Sequence, residues 1–233
     1  ARPRRAVGDC RAPASGYGVT AAPSAETLAR YHARMPITHL LYLHGFRSSP
    51  QSTKARAMAA RVQAEHPGAT WWCPQLPPSP REAAALIRQG TADWPAEHMA
   101  VVGSSLGGFY ATWVAEQRAC KAVLLNPAVD PARDLAKYIG EQTAWHDPAE
   151  RFFFRPEYIH ELRALACGPI TRPERYLAVI AKGDELLDWR EMTGRYPGAA
   201  IRLLEGSDHA LSDFDQHIGA VMDFLELTRR PAL

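Results

Sequence analysis

The stretch that most constrains the fold is residues 99–111, which read M-A-V-V-G-S-S-L-G-G-F-Y-A. The four apolar residues at its start predict a buried strand, and the run after Gly107 predicts a helix. Between them lies Gly-x-Ser-x-Gly, whose glycines let strand and helix approach closely around a sharp turn. We therefore expect Ser105 at a nucleophile elbow, with a positive φ and an accessible hydroxyl. The pattern alone leaves open a glycine-rich turn without chemistry.

Five further apolar runs indicate strands, and helical patterns separate them. These strands are predicted at residues 38–43, 69–73, 121–125, 176–181 and 200–204. Helices are predicted to begin at Ser48–Pro50, at Ser79 or Pro80, at Gly108 and near Phe214, the last with Ser212 as N-cap. Strands that alternate with helices predict an α/β fold with a mostly parallel, doubly wound sheet. Ligands of such sheets bind at the carboxyl ends of the strands.

Residues 129–172 break this alternation and contain short helical patterns. We predict that they form a short lid-like insertion over the carboxyl edge of the sheet. Within them stand three consecutive aromatic residues, Phe152, Phe153 and Phe154. The sequence favours ordinary core packing for these side chains, and it leaves open a hydrophobic wall for an acyl chain.

A serine nucleophile needs a base within hydrogen-bond reach, and the base needs a carboxylate that fixes its tautomer. In this kind of fold the chain order is serine, acid, histidine. Of nine histidines, His209 is the candidate base because it follows the last predicted strand and precedes the last helix. Asp184 is the candidate acid, as the first carboxylate after the strand at 176–181. The alternatives are Glu185, Asp188, Asp208 and Asp130.

An oxyanion hole requires two N–H donors. One is expected from the backbone of Leu106, which follows the serine, and the other from Phe46 in the loop after the first strand. Gly45 would let the chain present the second donor. His44, in the same loop, is in the wrong place for a base, and we expect it to support the loop.

Composition excludes several classes of protein. The 233 residues are 46% hydrophobic, which is enough for one α/β domain with a sizeable core. No run of about 18 apolar residues predicts a membrane helix, so no membrane insertion is expected. Four scattered cysteines match no zinc motif and indicate free thiols in a cytoplasmic protein.

The charge is concentrated at the N-terminus. Residues 1–34 hold six arginines against Asp9 and Glu26, a net charge of +4, and the remainder nets −2. The body is therefore not expected to bind nucleic acid. We predict a flexible extension at residues 1–34 and one domain at residues 35–233. Met35 directly precedes the first strand and is a candidate natural start.

Five motifs are spread over the predicted domain. They are L-Y-L-H-G-F-R-S-S-P-Q-S-T-K-A at 41–55, G-S-S-L-G-G-F-Y-A-T at 103–112, L-N-P-A-V at 125–129, G-D-E-L-L-D at 183–188 and G-S-D-H-A at 206–210. Together they resemble the YqiA-like esterase family of small bacterial α/β-hydrolases. The resemblance implies the α/β-hydrolase fold and esterase or thioesterase activity on acyl substrates. It also implies that Ser105, Asp184 and His209 occupy the family's triad positions.

The expected function is hydrolysis of a small-molecule acyl ester through an acyl-enzyme, without a metal or an organic cofactor. An acyl-CoA thioesterase is a close alternative, for which Arg47, Lys54 and Arg155 are candidate entrance cations. A catalytically inactive hydrolase fold that binds a ligand is an alternative of another class, which the intact serine–acid–histidine order opposes. Nucleotide binding is not expected, because residues 103–108 match neither the dinucleotide fingerprint nor a P-loop.

Overall fold

The structure is a computed structural model that describes residues 36–145 and 147–227. The extension predicted at residues 1–34 lies outside the described residues. The strands of the described part are β1 His39–Leu43, β2 Thr70–Trp72, β3 Met99–Ser104, β4 Lys121–Leu125, β5 Gly140–Thr143, β6 Arg151–Phe154, β7 Tyr176–Ala181 and β8 Ala200–Leu204. Its α-helices are α1 Thr53–Glu65, α2 Pro80–Gly90, α3 Leu106–Arg118, α4 Pro131–Asp134, α5 Glu157–Leu165, α6 Trp189–Arg195 and α7 Ile218–Leu225.

Six strands form the central sheet, in the order β2-β1-β3-β4-β7-β8. Every neighbouring pair in it is parallel, and the chain winds outward in both directions from β1. This confirms the prediction of a parallel, doubly wound α/β sheet. Because all strands point the same way, the residues that follow β1, β3, β7 and β8 meet at one edge.

The sheet is buried on both faces because helices cover both. Successive side chains of a strand point to opposite faces. Accordingly Leu41 and Leu43 of β1 belong to one apolar cluster, whereas Leu40 and Tyr42 belong to the other. β3, which leads to the candidate nucleophile, is buried along its whole length. The residue after it therefore follows a strand that lies inside the sheet, between β1 and β4.

Residues 129–172 contain more than the predicted short helices. β5 and β6 pair antiparallel as a hairpin between α4 and α5. The triple phenylalanine lies in β6, where alternation buries Phe154 at 1% exposure and leaves Phe153 59% exposed. The sequence indicated the short helices of this range but not the hairpin, because a four-residue strand is too short to display its period. That these residues act as a lid stays a prediction.

Three helix starts also differ from the prediction, and one of them is α3, which begins at Leu106 rather than at Gly108. α1 begins at Thr53, since the preceding serine and proline residues form a turn in which Ser52 N–H donates to Ser49 O. α7 begins at Ile218, after a single 3₁₀ turn. Ser212 is not its cap, because its N–H and hydroxyl both donate to Asp208. The start of α2 was predicted correctly: Ser79 is its N-cap and Pro80 its first residue.

Candidate active site

Ser105 occupies the turn between β3 and α3 with φ of 56° and ψ of −120°. Two glycines make this turn sterically possible. A Cβ on Gly103 would lie 2.1 Å from Gly107 O, and a Cβ on Gly107 would lie 1.9 Å from Leu43 O. Both separations are far inside contact distance, so neither position accepts a side chain. The strained serine and its flanking glycines are those that the pattern predicts.

Backbone hydrogen bonds hold Ser105 in this conformation. Its N–H donates to Leu125 O at 3.0 Å, and its carbonyl accepts from Gly108 N–H at 2.8 Å and from Ala128 N–H at 3.0 Å. The bonds to Leu125 and Ala128 connect the turn to β4 and to the loop beyond it. The turn is thus fixed by residues 125–128, at and just after the end of β4, as well as by its own helix.

The three predicted residues form a hydrogen-bonded chain. Asp184 Oδ2 lies 2.8 Å from His209 Nδ1, and His209 Nε2 lies 3.0 Å from Ser105 Oγ. An ionised carboxylate only accepts, so Nδ1 carries the proton and Nε2 is free to accept from the serine hydroxyl. The Asp184 side chain is fully buried, whereas that of His209 remains 18% exposed. Charge on the histidine would therefore lie next to a carboxylate shielded from water.

Asp184 is oriented by its own loop. Its other oxygen, Oδ1, accepts the backbone N–H groups of Leu186 and Leu187, each at 2.9 Å. The preceding Gly183 packs so closely on the loop after β8 that a Cβ there would lie 2.2 Å from Ser207 O. These contacts aim Oδ2 at the histidine.

The other acid candidates lie nearby but make different contacts. Glu185 accepts the backbone N–H of His209 rather than its ring. Asp188 caps α6 and Asp130 caps α4. Asp208 accepts from the backbone N–H and hydroxyl of Ser212, and these bonds hold its pKa below the usual value.

The loop after β1 lies against the serine. A Cβ added to Gly45 would stand 3.2 Å from Ser105 Cβ and 3.7 Å from Ser105 Oγ, so the chain leading to Phe46 passes beside the hydroxyl. Leu106 is the first residue of α3, and its N–H has no acceptor within the helix. Both expected oxyanion donors thus belong to segments that adjoin Ser105.

His44 supports this loop, as expected. Its Nε2 accepts the backbone N–H of Leu76 at 3.0 Å, and its Nδ1 lies 2.9 Å from Gly45 O. Phe46 packs by its ring against Tyr138, Phe152 and Phe154. Aromatic side chains of the insertion therefore adjoin the candidate oxyanion loop.

Two residues contact the loop of His209 in a way that the sequence did not predict. Asn126, buried after β4, bonds by its amide to the backbone of the His209 loop and of β7. Lys54 of α1 donates to Ala210 O, and burial lowers its pKa to about 8. A polar residue directly after an apolar strand was the available signal for Asn126, whereas Lys54 was considered only as a candidate entrance cation.

Within the part of the chain that the structure describes, no group of three or more His, Cys, Asp or Glu side chains is placed to hold a metal ion. Over the same residues, no helix is long and apolar enough to cross a membrane. The described cysteines, Cys73, Cys120 and Cys167, are free thiols.

Solved structures share this fold. A protein from Agrobacterium vitis S4 superposes with a TM-score of 0.66 at 19% identity, over 83% of this chain and 91% of its own. Mouse alpha/beta hydrolase domain-containing protein 10 superposes with a TM-score of 0.59 at 18% identity, over 80% of this chain and 90% of its own. A structure from work on the metagenome-derived lipolytic enzymes LipS and LipT superposes with a TM-score of 0.60 at 20% identity, over 82% of this chain and 95% of its own. At such identities the likeness defines the fold alone, which is that of the α/β hydrolases.

The chain belongs to the uncharacterised protein family UPF0227, whose sequence model matches residues 39–226. This match confirms the resemblance to the YqiA-like family that the five motifs indicated. The matched range contains all of the site residues discussed above.

Proposed function

We propose that this protein is a serine hydrolase that cleaves carboxylic esters of small molecules. The observation that carries the proposal is the unbroken hydrogen-bond chain from Asp184 through His209 to Ser105. It begins at a buried carboxylate and ends at a hydroxyl on a strained strand–helix turn. The α/β-hydrolase fold and lipolytic enzymes among the structural neighbours support the same assignment.

In the first half-reaction Ser105 Oγ attacks the acyl carbonyl carbon while His209 Nε2 takes the hydroxyl proton. Asp184 stabilises the imidazolium that forms. The N–H groups of Phe46 and Leu106 hold the negative oxygen of the tetrahedral intermediate. Collapse breaks the ester bond, and His209 gives its proton to the departing alkoxide. Water then repeats the sequence on the acyl-enzyme, releases the acid and restores Ser105.

The surroundings of the serine favour an ester with an apolar acyl group. Phe46 and the rings of Tyr138 and Phe152 offer apolar surface beside the oxyanion loop. No observation singles out a thioester of coenzyme A. Arg47 donates to Thr143 O and stacks on Trp145, and Lys54 donates to Ala210 O, so both cations already have partners within the fold.

The test is hydrolysis of p-nitrophenyl esters of increasing acyl length by the wild type and by Ser105→Ala. The wild type is expected to turn over esters, with a preferred acyl length, and the variant to lose on the order of 10⁶-fold in kcat. Ser104→Ala is the matched control, because this neighbouring serine is buried in β3 and outside the hydrogen-bond chain. It is expected to retain activity.

If no ester is hydrolysed, labelling by a fluorophosphonate distinguishes an enzyme with a narrow substrate from a protein without an activated serine. Labelling at Ser105 without turnover of any ester or acyl-CoA would indicate an activated serine with a narrow substrate. Absence of both labelling and turnover would contradict the proposal and favour a ligand-binding protein.

A further inference from the structure

Asn126 has an unusual position for a polar residue. It directly follows β4, is fully buried and takes φ of 43°, a left-handed conformation that asparagine tolerates better than most residues. Its own N–H donates to Val179 O at 3.0 Å. Burial of an amide is costly unless its polar atoms are hydrogen-bonded, so the partners of this side chain indicate what it does.

All the amide's bonds go to two backbone segments at the site. Nδ2 donates to Asp208 O at 2.9 Å and to His209 O at 3.2 Å, while Oδ1 accepts the N–H of Ala181 at 2.8 Å. The partners fix the orientation of the amide, since two are carbonyls and one is an N–H group. Asn126 therefore joins the loop that carries the histidine to the end of β7, just ahead of Asp184.

Two other side chains hold the adjacent peptide groups. Glu185 Oε2 accepts the N–H of His209 at 3.0 Å, and Lys54 Nζ donates to Ala210 O. The backbone around His209 is thus bound from three directions: after β4, after β7 and from α1. Neither Asn126 nor Glu185 has a bond to the imidazole ring or to the serine among those found in the described residues.

We propose that Asn126, together with Glu185 and Lys54, is a positioning set that fixes the backbone of His209 so that Nε2 stays within hydrogen-bond reach of Ser105. The proposal rests on the proposed function and deepens it. The imidazole ring is joined to the backbone of this loop only through its own Cβ. A shift of the loop therefore displaces Nε2 by a similar distance. A displacement of about 1 Å can cost on the order of 10²-fold in rate.

The cleanest test uses Glu185, because it is exposed and its replacement leaves the core intact. Glu185→Gln keeps an oxygen that accepts the His209 N–H, whereas Glu185→Leu does not. We expect the Leu variant to lose about 10-fold or more in kcat with KM nearly unchanged, and the Gln variant to stay close to wild type. Equal loss in both variants would mean that the charge acts, not the hydrogen bond, and would overturn the assignment for Glu185.

The second test compares Asn126→Gly with Tyr196→Phe. Glycine accepts the positive φ and removes every hydrogen bond that the side-chain amide of Asn126 makes. The Tyr196 variant removes a buried bond between its hydroxyl and Thr112 Oγ1, 2.9 Å apart, that does not involve the His209 loop. Both variants are expected to melt earlier than wild type. At a temperature well below both midpoints, only Asn126→Gly is expected to lose kcat, by about 10- to 100-fold.

A readout independent of turnover distinguishes failure of this proposal from failure of the proposed function. The downfield proton resonance of His209 Nδ1–H reports its bond to Asp184 whether or not an ester is cleaved. We expect this resonance to shift or broaden in Asn126→Gly and Glu185→Leu and to persist in Glu185→Gln and Tyr196→Phe. Wild-type resonance and wild-type fluorophosphonate labelling in the first two variants would overturn the proposal.

Discussion

The backbone of Ser105 shows how a strained residue is maintained. A conformation of this kind costs a residue other than glycine about 1–3 kcal/mol. Hydrogen bonds to Leu125, Gly108 and Ala128 hold it in place, and the flanking glycines remove the side chains that would obstruct it. The strained conformation is thus maintained by its own helix and by the end of β4, and it places the hydroxyl where His209 can reach it.

At the same scale, Asp184→Asn tests the role of the carboxylate. The amide preserves the shape of the side chain but can donate to Nδ1, which stabilises the wrong tautomer of His209. We expect kcat to fall on the order of 10⁴-fold with little change in KM, measured on the preferred p-nitrophenyl ester.

The matched control is Asp188→Asn, four residues further along the same loop. Asp188 caps α6 by accepting from Arg190 N–H at 2.8 Å, and asparagine caps helices equally well. The control is expected to keep wild-type kcat. If Asp184→Asn kept its activity and Asp188→Asn lost it, the role of the triad acid would pass from Asp184 to Asp188.

At the scale of elements, the hairpin of β5 and β6 is attached to the loop after β1. Phe152 and Phe154 both contact the ring of Phe46. Arg47 extends the contact, because its Nε donates to Thr143 O at 2.6 Å and its carbonyl accepts from Trp145 N–H at 2.7 Å. Any movement of this hairpin would therefore disturb the candidate oxyanion loop.

The two faces of β6 give an element-level prediction. Phe154→Ala empties a buried site and is expected to lower the free energy of unfolding by about 3–5 kcal/mol. Phe153→Ala, on the exposed face, is expected to change it by no more than about 0.5 kcal/mol. Urea unfolding measures both. Similar losses in the two variants would mean that the hairpin is packed on both faces.

At the scale of the whole molecule, burial of one cation links stability to pH. The pKa of Lys54 falls from its usual 10.5 to about 8, chiefly because the ammonium loses hydration, although Asp208 and Asp184 oppose this shift. Between these two values the unfolded chain binds the proton more tightly than the folded one. Stability contributed through Lys54 must therefore rise with pH across this interval and be constant below it.

A comparison with Lys54→Met isolates this effect. From pH 8 to 10.5 the free energy of unfolding of the wild type is expected to rise, relative to the variant, by up to about 3 kcal/mol. Below pH 8 the difference between the two proteins is expected to be constant. Denaturant titrations at a series of pH values measure it, and a difference independent of pH up to 10.5 would contradict the burial of the ammonium.

The sequence by itself determined the elbow, the class of sheet and the order of the site residues. These depend on local sterics and on hydrophobic periodicity, which a chain displays along its length. The strands of the central sheet were predicted within one or two residues, because runs such as residues 176–181 are continuously apolar. Ser105 was identifiable because Gly-x-Ser-x-Gly stands between an apolar run and a helical pattern. The contact that requires Gly103 lies within the same short segment, whereas the one that requires Gly107 comes from Leu43 of β1.

Only the tertiary structure shows which acid candidate contacts the ring of His209 and which groups Asn126 contacts. Asp184 and Glu185 are adjacent in sequence, and which of them meets the ring of His209 depends on how two loops pack across Gly183. The partners of the Asn126 side chain lie 55 to 83 residues away, so no local pattern specifies them. Hydrophobic order along the chain determines which elements form, whereas the orientation of polar side chains at the sheet edge is set by close contacts between segments that the sequence keeps far apart.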